Sequence, residues 1–531
     1  MLKRRERRAP SPNRAANFFN DLKTRWKILI AAGIFLALMA ASLLVSGHYQ
    51  PANALETYKK SLRDKGEKLE LSKVLPPPVP AEQNCVEAVQ AAFAAFSPGN
   101  ENIPNAMRMV APGKAIVGLS QPDVRDPEFT NSWEEFAAGV TMERSALELL
   151  QQALERPKLV FPLDYKKGAM MPLPHLSVLK RSAQKLTAAT VCDLHNGDTG
   201  SAATNIGVLL ALVRDNQDEG ILISQLVRIA MAAIGTSATW EFLQSTNATD
   251  AQLATLQKSW EQMEFIRTTE AAFVFEQAWG ANVIEKLRAS HHEFAGLLGG
   301  PSGGPAWSWP PDLEAMANSA KRTCAEVMWR NSWSFTQEIH SLQANQIILE
   351  TLRHMKTNSF FKPDCDAMKS RLSALGITNV GEAFFRALDI PDFEDFFMGS
   401  DNLGSVVFKA IRMEAARRVV ITAIALKRFQ LQHGKLPEKI SELAPEFLAA
   451  IPIDPFDGKP LRYRPNADGT YLLYCVGEDG VDDGGDPSLP VSVTGDSFYW
   501  QNNKARDWVW PQPATDAEIQ TYYEEQAKKF K

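Results

Sequence analysis

The sequence predicts a mainly α-helical protein. It has a transmembrane helix near the N-terminus, an α-helical bundle of hairpins as its body, and a small α+β domain towards the C-terminus. Three observations carry this expectation. Residues 28–45 are an uncharged apolar run, and apolar side chains recur at helical spacing from about 175 to 362. After Gly404 the pattern changes to one long helix followed by alternating, β-rich segments.

The run at 28–45 (ILIAAGIFLALMAASLLV) has one polar residue, Ser42. As a helix it reaches about 27 Å, close to the hydrocarbon thickness of a bilayer. Ahead of it stand nine basic residues (Lys3, Arg4, Arg5, Arg7, Arg8, Arg14, Lys23, Arg25, Lys27) and two acids, Glu6 and Asp21, a net +7. The rest of the chain carries −12 to give the whole-chain −5. Basic flanks stay in the cytoplasm, so 1–27 is expected as a cytoplasmic tail and 28–46 as an anchor held by membrane lipid. That makes the chain a single-pass protein of the cytoplasmic (inner) membrane with its body on the far side. Trp26 and Tyr49 stand where interfacial aromatics would. The alternative is a cleaved signal peptide with Ala52-Asn53-Ala54 at the cut; the long apolar run and long basic lead favour an uncleaved anchor.

The acidic body argues against nucleic acid as a partner, and topology with anionic lipid accounts for the basic cluster. With 45% hydrophobic and 22% charged residues the body is globular, and its length asks for more than one core. Cys85, Cys192, Cys324, Cys365 and Cys475 are odd in number and widely spaced, without a CxxC pair, which argues against a disulfide framework.

Residues 47–80 read as a charged helical stem (Leu55, Tyr58, Leu62, Leu69) closed by the stiff spacer Leu75-Pro76-Pro77-Pro78-Val79-Pro80. Residues 81–172 mix a short apolar helix at 85–96, a proline-interrupted stretch, and a strong helix at 133–155. The helical domain is expected over 173–403. Leu176, Leu179, Ala183, Leu186, Ala189 and Leu194 form one stripe, ended by Asn196-Gly197, and Asp198 caps the next helix. The run at 221–243 is apolar enough for a buried central helix, but Arg228 at its middle argues against a second span. Thr249 with Gln252 makes a capping box for a helix through Phe265. Two further helical runs flank a glycine- and proline-rich loop at 299–311. Short connections of this kind pack as antiparallel hairpins.

From 404 to 511 the sequence predicts a long helix at 405–432, the stop His433-Gly434-Lys435-Leu436-Pro437, a short helix at 438–443, the segment 454–460 (DPFDGKP), and a hairpin. The hairpin strands are 461–464 and 471–476 about a turn at 466–469. Residues 512–531 close the chain as a helix.

Glu478, Asp479, Asp482, Asp483 and Asp486 place five carboxylates in nine residues among Gly477, Gly480, Gly484 and Gly485. Glycines fold such a loop tightly, and crowded acids repel unless a hard cation with six to eight oxygen ligands neutralises them. The spacing is not an EF-hand, because Val481 falls where a ligand should be. The competing reading is a solvated acidic turn.

The order of these motifs resembles the globular head of the major pseudopilin of type II secretion systems. The matching stretches are 433–437, 454–460, Arg462-Tyr463, 473–480 (LYCVGEDG) and Gly495-Asp496-Ser497-Phe498-Tyr499-Trp500. They lie in residues 405–500, under a fifth of the chain. The resemblance implies a structural Ca²⁺ in the acidic loop, with Asp479 and Asp496 at the best-matching positions. A prepilin-type signal is missing, and some 360 residues separate anchor and head. The whole chain therefore more closely resembles single-pass envelope proteins of planctomycete and verrucomicrobial bacteria that append such a head.

Other constellations carry less. His291-His292-Glu293 lacks the H-E-x-x-H spacing of a zinc pair. Cys192-Asp193-Leu194-His195 reads as the last turn of a helix, with His195 favoured by the helix dipole. The 299–304 glycines lack the Lys-Ser/Thr of a phosphate loop. Trp307 and Trp309 suit a core edge or a docking surface. The expected function is a non-enzymatic envelope scaffold that holds other envelope proteins and is connected through its head with secretion. The alternative is an envelope enzyme or ligand-binding protein with a dispersed site in the helical domain, marked by a pocket around His175, Asp193 or His195.

Overall fold

The computed structural model describes residues 49–97, 106–125, 130–165, 167, 171–297, 323, 326–375, 400–489 and 505–529. The apolar run at 28–45, the 299–311 loop with Trp307 and Trp309, Cys324, and the segment with Asp496 lie outside them. Helix accounts for 64% and strand for 7%, so the mainly α expectation holds, with small sheets.

The chain forms two compact units. The first contains a helix at 49–64 (α1) and residues 284–340. In α1, Leu55 and Leu62 are buried one heptad apart, with Lys59 buried between them. The ammonium of Lys59 lies 2.6 Å from Glu285 and 2.5 Å from Glu338, and Arg288 reaches Glu338 at 2.6 Å. Burial opposes the Lys59 charge, but the two carboxylates outweigh it and raise its pKa. The expected stem is thus a packed helix.

The second unit holds 68–283, 341–378 and 392–531. It begins with α2 (Val86–Ala95) and the hairpin β1 (Arg108–Ala111) and β2 (Lys114–Ile116). A two-stranded ribbon, β3 (Val124–Arg125) and β4 (Thr130–Asn131), then leads to α3 (Trp133–Ala153). Ser132 and Glu135 cap α3 reciprocally. Next come α4 (Pro174–His195), α5 (Thr199–Asp215) and α6 (Leu222–Leu243). The Asp198 carboxylate accepts from Ser201 N at 2.9 Å, as its N-cap position required. The Thr249–Gln252 capping box opens α7 (Asp250–Glu261), which stops short of the expected Phe265. The chain breaks at 262–264, where Met263 turns into the core, and α8 (Phe265–Ala289) begins afresh. Helix α9 (His291–Leu297) belongs to the first unit; α10 (Ser334–Met355), from residue 341 on, and α11 (Lys362–Ala374) belong to the second.

Helix α6 is long and apolar enough to cross a membrane, yet just over half of it is buried inside the protein, packed on α4, α5 and α12. Gly235 permits that packing: a Cβ there would stand 3.0 Å from Leu209 and 3.2 Å from Leu210.

The long helix α12 (Ser400–His433) carries the C-terminal region. It packs on α6 and α7 and on the hairpin of β5 (Arg462–Pro465) and β6 (Tyr471–Val476). The hairpin has the expected turn, with Gly469 at φ +82° and Arg462 opposite Tyr474. A third strand not foreseen, β7 (Asp507–Val509), pairs antiparallel with β6. Just beyond it β8 (Gln512–Pro513) pairs parallel with β2, and α13 (Asp516–Lys529) ends the described chain. The compact units therefore do not divide at 403/404: the helical residues to 283 and the head share one core along α12.

Candidate functional site

The acidic loop is bound by the head's own arginines. Glu478 pairs with Arg412 of α12 at 2.5 Å. Asp482 accepts from the Tyr474 hydroxyl at 2.9 Å and meets Arg462 Nε at 3.1 Å. Asp483 meets Arg506 at 3.2 Å, and Asp486 accepts from Ser488 N and Oγ, both at 2.9 Å. Asp479 accepts from Val481 N at 3.0 Å, which makes a local Asx turn. Gly477 admits the Arg506 carbonyl so closely that a Cβ would collide with it, and it donates its N–H to that oxygen at 3.2 Å.

Beneath the loop lie two acids that carry the structure. Asp454, fully buried, accepts from Phe456 N at 2.9 Å, Val476 N at 2.8 Å and Arg462 at 2.9 Å. Burial raises its pKa to about 6 against those donors. Arg462 also binds Asp457, so one guanidinium ties three carboxylates across the sheet and loop. Asp507 accepts from Gly485 N at 2.8 Å and Asp486 N at 3.1 Å through Oδ2, while its buried Oδ1 has no donor.

Among the described residues, no three His, Cys, Asp or Glu side chains converge as a metal site. Of the expected calcium ligands, Glu478, Asp482, Asp483 and Asp486 contact guanidinium groups, Asp479 holds its own turn, and Asp496 lies outside the described residues. Asp507 was missed. Its signal was an acid opening a short β-rich triplet, Asp507-Trp508-Val509.

The histidine and cysteine clusters are structural. His291 pairs with Glu326 at 2.7 Å. Asp193, buried, binds Arg144 and accepts from Asn205 at 2.8 Å, which locks α3, α4 and α5 together. His195 stacks on Trp133 at 3.6 Å and its Nδ1 lies 3.0 Å from the Leu119 carbonyl. His175 stacks on Phe161 and contacts Glu219 at 3.0 Å, and Ser224 donates to the same carboxylate. That trio is buried, with Glu219 in the middle, so the histidine does not contact the hydroxyl as a base would. Burial raises the thiols, Cys85 to about 11 and Cys365 to about 12, which keeps them protonated.

A cleft that sequence reasoning missed lies beside α6. Glu241, fully buried, accepts from Met107 N at 2.8 Å and from Gly118 N at 3.2 and 3.1 Å. Those bonds hold the β1–β2 region against α6 and fix Met107 in a left-handed conformation at φ +52°. Burial outweighs the backbone donors and raises Glu241 to about 7. The carboxylate borders a cavity of about 40 Å³ that also meets Arg108, Asp123, Trp133, Phe136 and Tyr523. An isolated acid in an otherwise apolar helix was the available signal.

Compared with protein-family models, curated proteins and solved structures, the chain gives no significant match.

Proposed function

We propose that this chain is a single-pass envelope protein whose extracytoplasmic body holds other envelope proteins, with a pseudopilin-like head that serves docking in a secretion-related assembly. The observation that carries the reading is the uncharged run at 28–45 behind a net +7 leader. Two structural features support it. Helix α1, described from Tyr49 onwards, is packed into the first unit through Leu55, Lys59 and Leu62. The head is built onto α12 together with α6 and α7, so it is a braced platform. Protease added outside intact spheroplasts is expected to digest the body. Protection of the body reverses the topology, and a soluble mature chain beginning near Leu55 removes the tether.

Calcium enters this reading as an added brace on the head. Asp507 Oδ1 supports it as a buried carboxylate oxygen without a donor beside a loop rich in oxygens. Asp507 and the loop acids, with Asp496, would hold the ion, which would supply charge neutralisation and no chemistry.

A further inference from the structure

Arg228 of α6 is fully buried, and among the described residues no carboxylate is bonded to it. Its Nε donates to the Val213 carbonyl at 2.6 Å, and its Nη1 donates to Gln225 Oε1 at 3.2 Å and to Thr268 Oγ1 at 2.6 Å. All three acceptors are neutral, and Nη2 has no acceptor. Burial pulls the guanidinium down to about 9, which leaves it charged at neutral pH. Asp218 and Glu264 favour that charge through space and Arg267 opposes it. Both acids already have cations of their own, Lys158 for Asp218 and Arg267 for Glu264. A guanidinium in this setting calls for a counter-charge that the chain does not bond to it.

Two more side chains around it keep unbonded polar atoms. Asn216 closes the last turn of α5, three residues after Val213, and is fully buried with neither Oδ1 nor Nδ2 bonded. The Gln225 amide that accepts from Arg228 donates to the Gln217 carbonyl at 3.3 Å, so the guanidinium and its partner bracket Asn216 from both sides in sequence. Thr269, only 1% exposed, has an unbonded Oγ1. It follows Thr268 on α8 and stands one turn beyond Phe265, whose ring the guanidinium covers at 5.0 Å.

These atoms select the ligand. Nη2, Nδ2 and the Thr269 hydroxyl can all donate, and only Asn216 Oδ1 is restricted to accepting. A metal cation would meet a guanidinium and too few oxygens. Water would satisfy dipoles and leave the charge uncompensated. A divalent anion would overbalance one guanidinium, and a carboxylate-bearing ligand would bring a body that side chains so fully buried do not admit. A halide takes several donors without directional demand and matches one positive charge.

We propose that Arg228, Asn216 and Thr269 hold a chloride-sized monovalent anion where the end of α5, the middle of α6 and the start of α8 meet. Gln217 and Asp218, next along the chain from Asn216, reach the surface, so the path into the site is short. The ion ties three helices to one point and makes their packing depend on halide concentration.

Melting of the detergent-solubilised full chain tests this as sodium chloride replaces sodium gluconate at constant ionic strength, which removes general screening. A saturating rise of roughly 2–4 °C is expected, reproduced by bromide and not by sulfate. The chloride NMR line should broaden with the protein present and sharpen again when bromide is added in excess. Arg228→Met should abolish both the shift and the broadening. Thr269→Val exchanges a hydroxyl for a methyl of the same shape and should raise the half-saturating chloride concentration roughly threefold to tenfold. It keeps the test decisive should Arg228→Met fail to fold. Melting and linewidth that ignore chloride at constant ionic strength assign the unbonded atoms to water and overturn the proposal. An equal rise with every salt, or a half-saturating concentration unchanged in Thr269→Val, overturns it as well.

Discussion

The head and the α6 region bury charge in opposite ways. In the head, carboxylates meet full positive charges: Arg462 holds Asp454, Asp457 and Asp482, Arg412 holds Glu478, and Arg506 holds Asp483. Around α6, buried charges meet dipoles. Arg228, fully buried, donates to the Val213 carbonyl at 2.6 Å, to Thr268 at 2.6 Å and to Gln225 at 3.2 Å, and lies over the Phe265 ring. Glu276 accepts from Leu222 N at 3.0 Å, where the α6 N-terminus adds its dipole. The pKa values register the difference. Burial lowers Arg228 to about 9 and raises Glu241 and Glu276 to about 7, while Asp457 is lowered because Arg462 outweighs its burial. Asp454 shows the limit of pairing: fully buried, it is raised to about 6 even beside Arg462.

The largest expected effect comes from removing the central cation of the head. Arg462→Ala strands the fully buried Asp454 and leaves Asp457 and Asp482 without their guanidinium. Breaking such a pair costs about 3–5 kcal/mol, readable by urea denaturation. Adding Asp454→Asn should recover part of the loss by removing the stranded charge. Arg228→Met strands no carboxylate; it removes hydrogen bonds to a carbonyl, a hydroxyl and an amide, and should cost about 1–3 kcal/mol. A larger loss at Arg228 than at Arg462 would break the comparison.

The same contrast explains what the sequence could show. Helix boundaries rest on local chemistry, so Asp198 and Thr249 mark the starts of their helices at the right residues. The 462–476 hairpin was legible from alternation about Asp468-Gly469 for the same reason. The break at 262–264 was hidden because the apolar spacing continues through it, and Met263 is held by tertiary packing. Strands β7 and β8 were hidden because their partners lie far along the chain: β8 pairs with residues some 400 positions earlier. The acidic loop was conspicuous in composition, but its arginines come from 412, 462 and 506, positions that composition does not join. Glu241 showed only as a single acid in an apolar helix, and its backbone donors Met107 and Gly118 come from segments over 100 residues away.

Acidity separates the two regions further. Glu241 and Glu276 near 7 bind protons in the folded state from about pH 4.5 upwards, where the unfolded chain has released them. Their contribution is therefore complete below about pH 4.5 and is lost as pH rises through 7. Asp457, Asp482 and Asp486 are lowered, so their contribution holds above the ordinary carboxylate range and is lost as pH falls through their folded values. Melting followed from pH 8 to 5 should show the α6 region gaining stability, by about 1.4 kcal/mol per pH unit for each group within its window. Glu276→Gln should flatten that slope. An unchanged slope in both Glu241→Gln and Glu276→Gln would show that dipoles already suffice for the ionised acids.

The smallest effect concerns calcium, because arginines already supply the head with much of the positive charge an ion would bring. Saturating Ca²⁺ should raise the melting temperature of the full chain by roughly 2–4 °C, the shift expected for about 1 kcal/mol. The gain should shrink in Asp507→Asn, which removes the charge from the carboxylate with the free buried oxygen. It should grow in Arg506→Gln, which releases Asp483 and Asp486 from their cation and leaves the loop more negative. Growth of the calcium effect upon loss of an arginine would show that ion and guanidinium compete for the same acids. An equal response in wild type and both variants would place any bound calcium elsewhere, and the head would then be neutralised by its arginines alone.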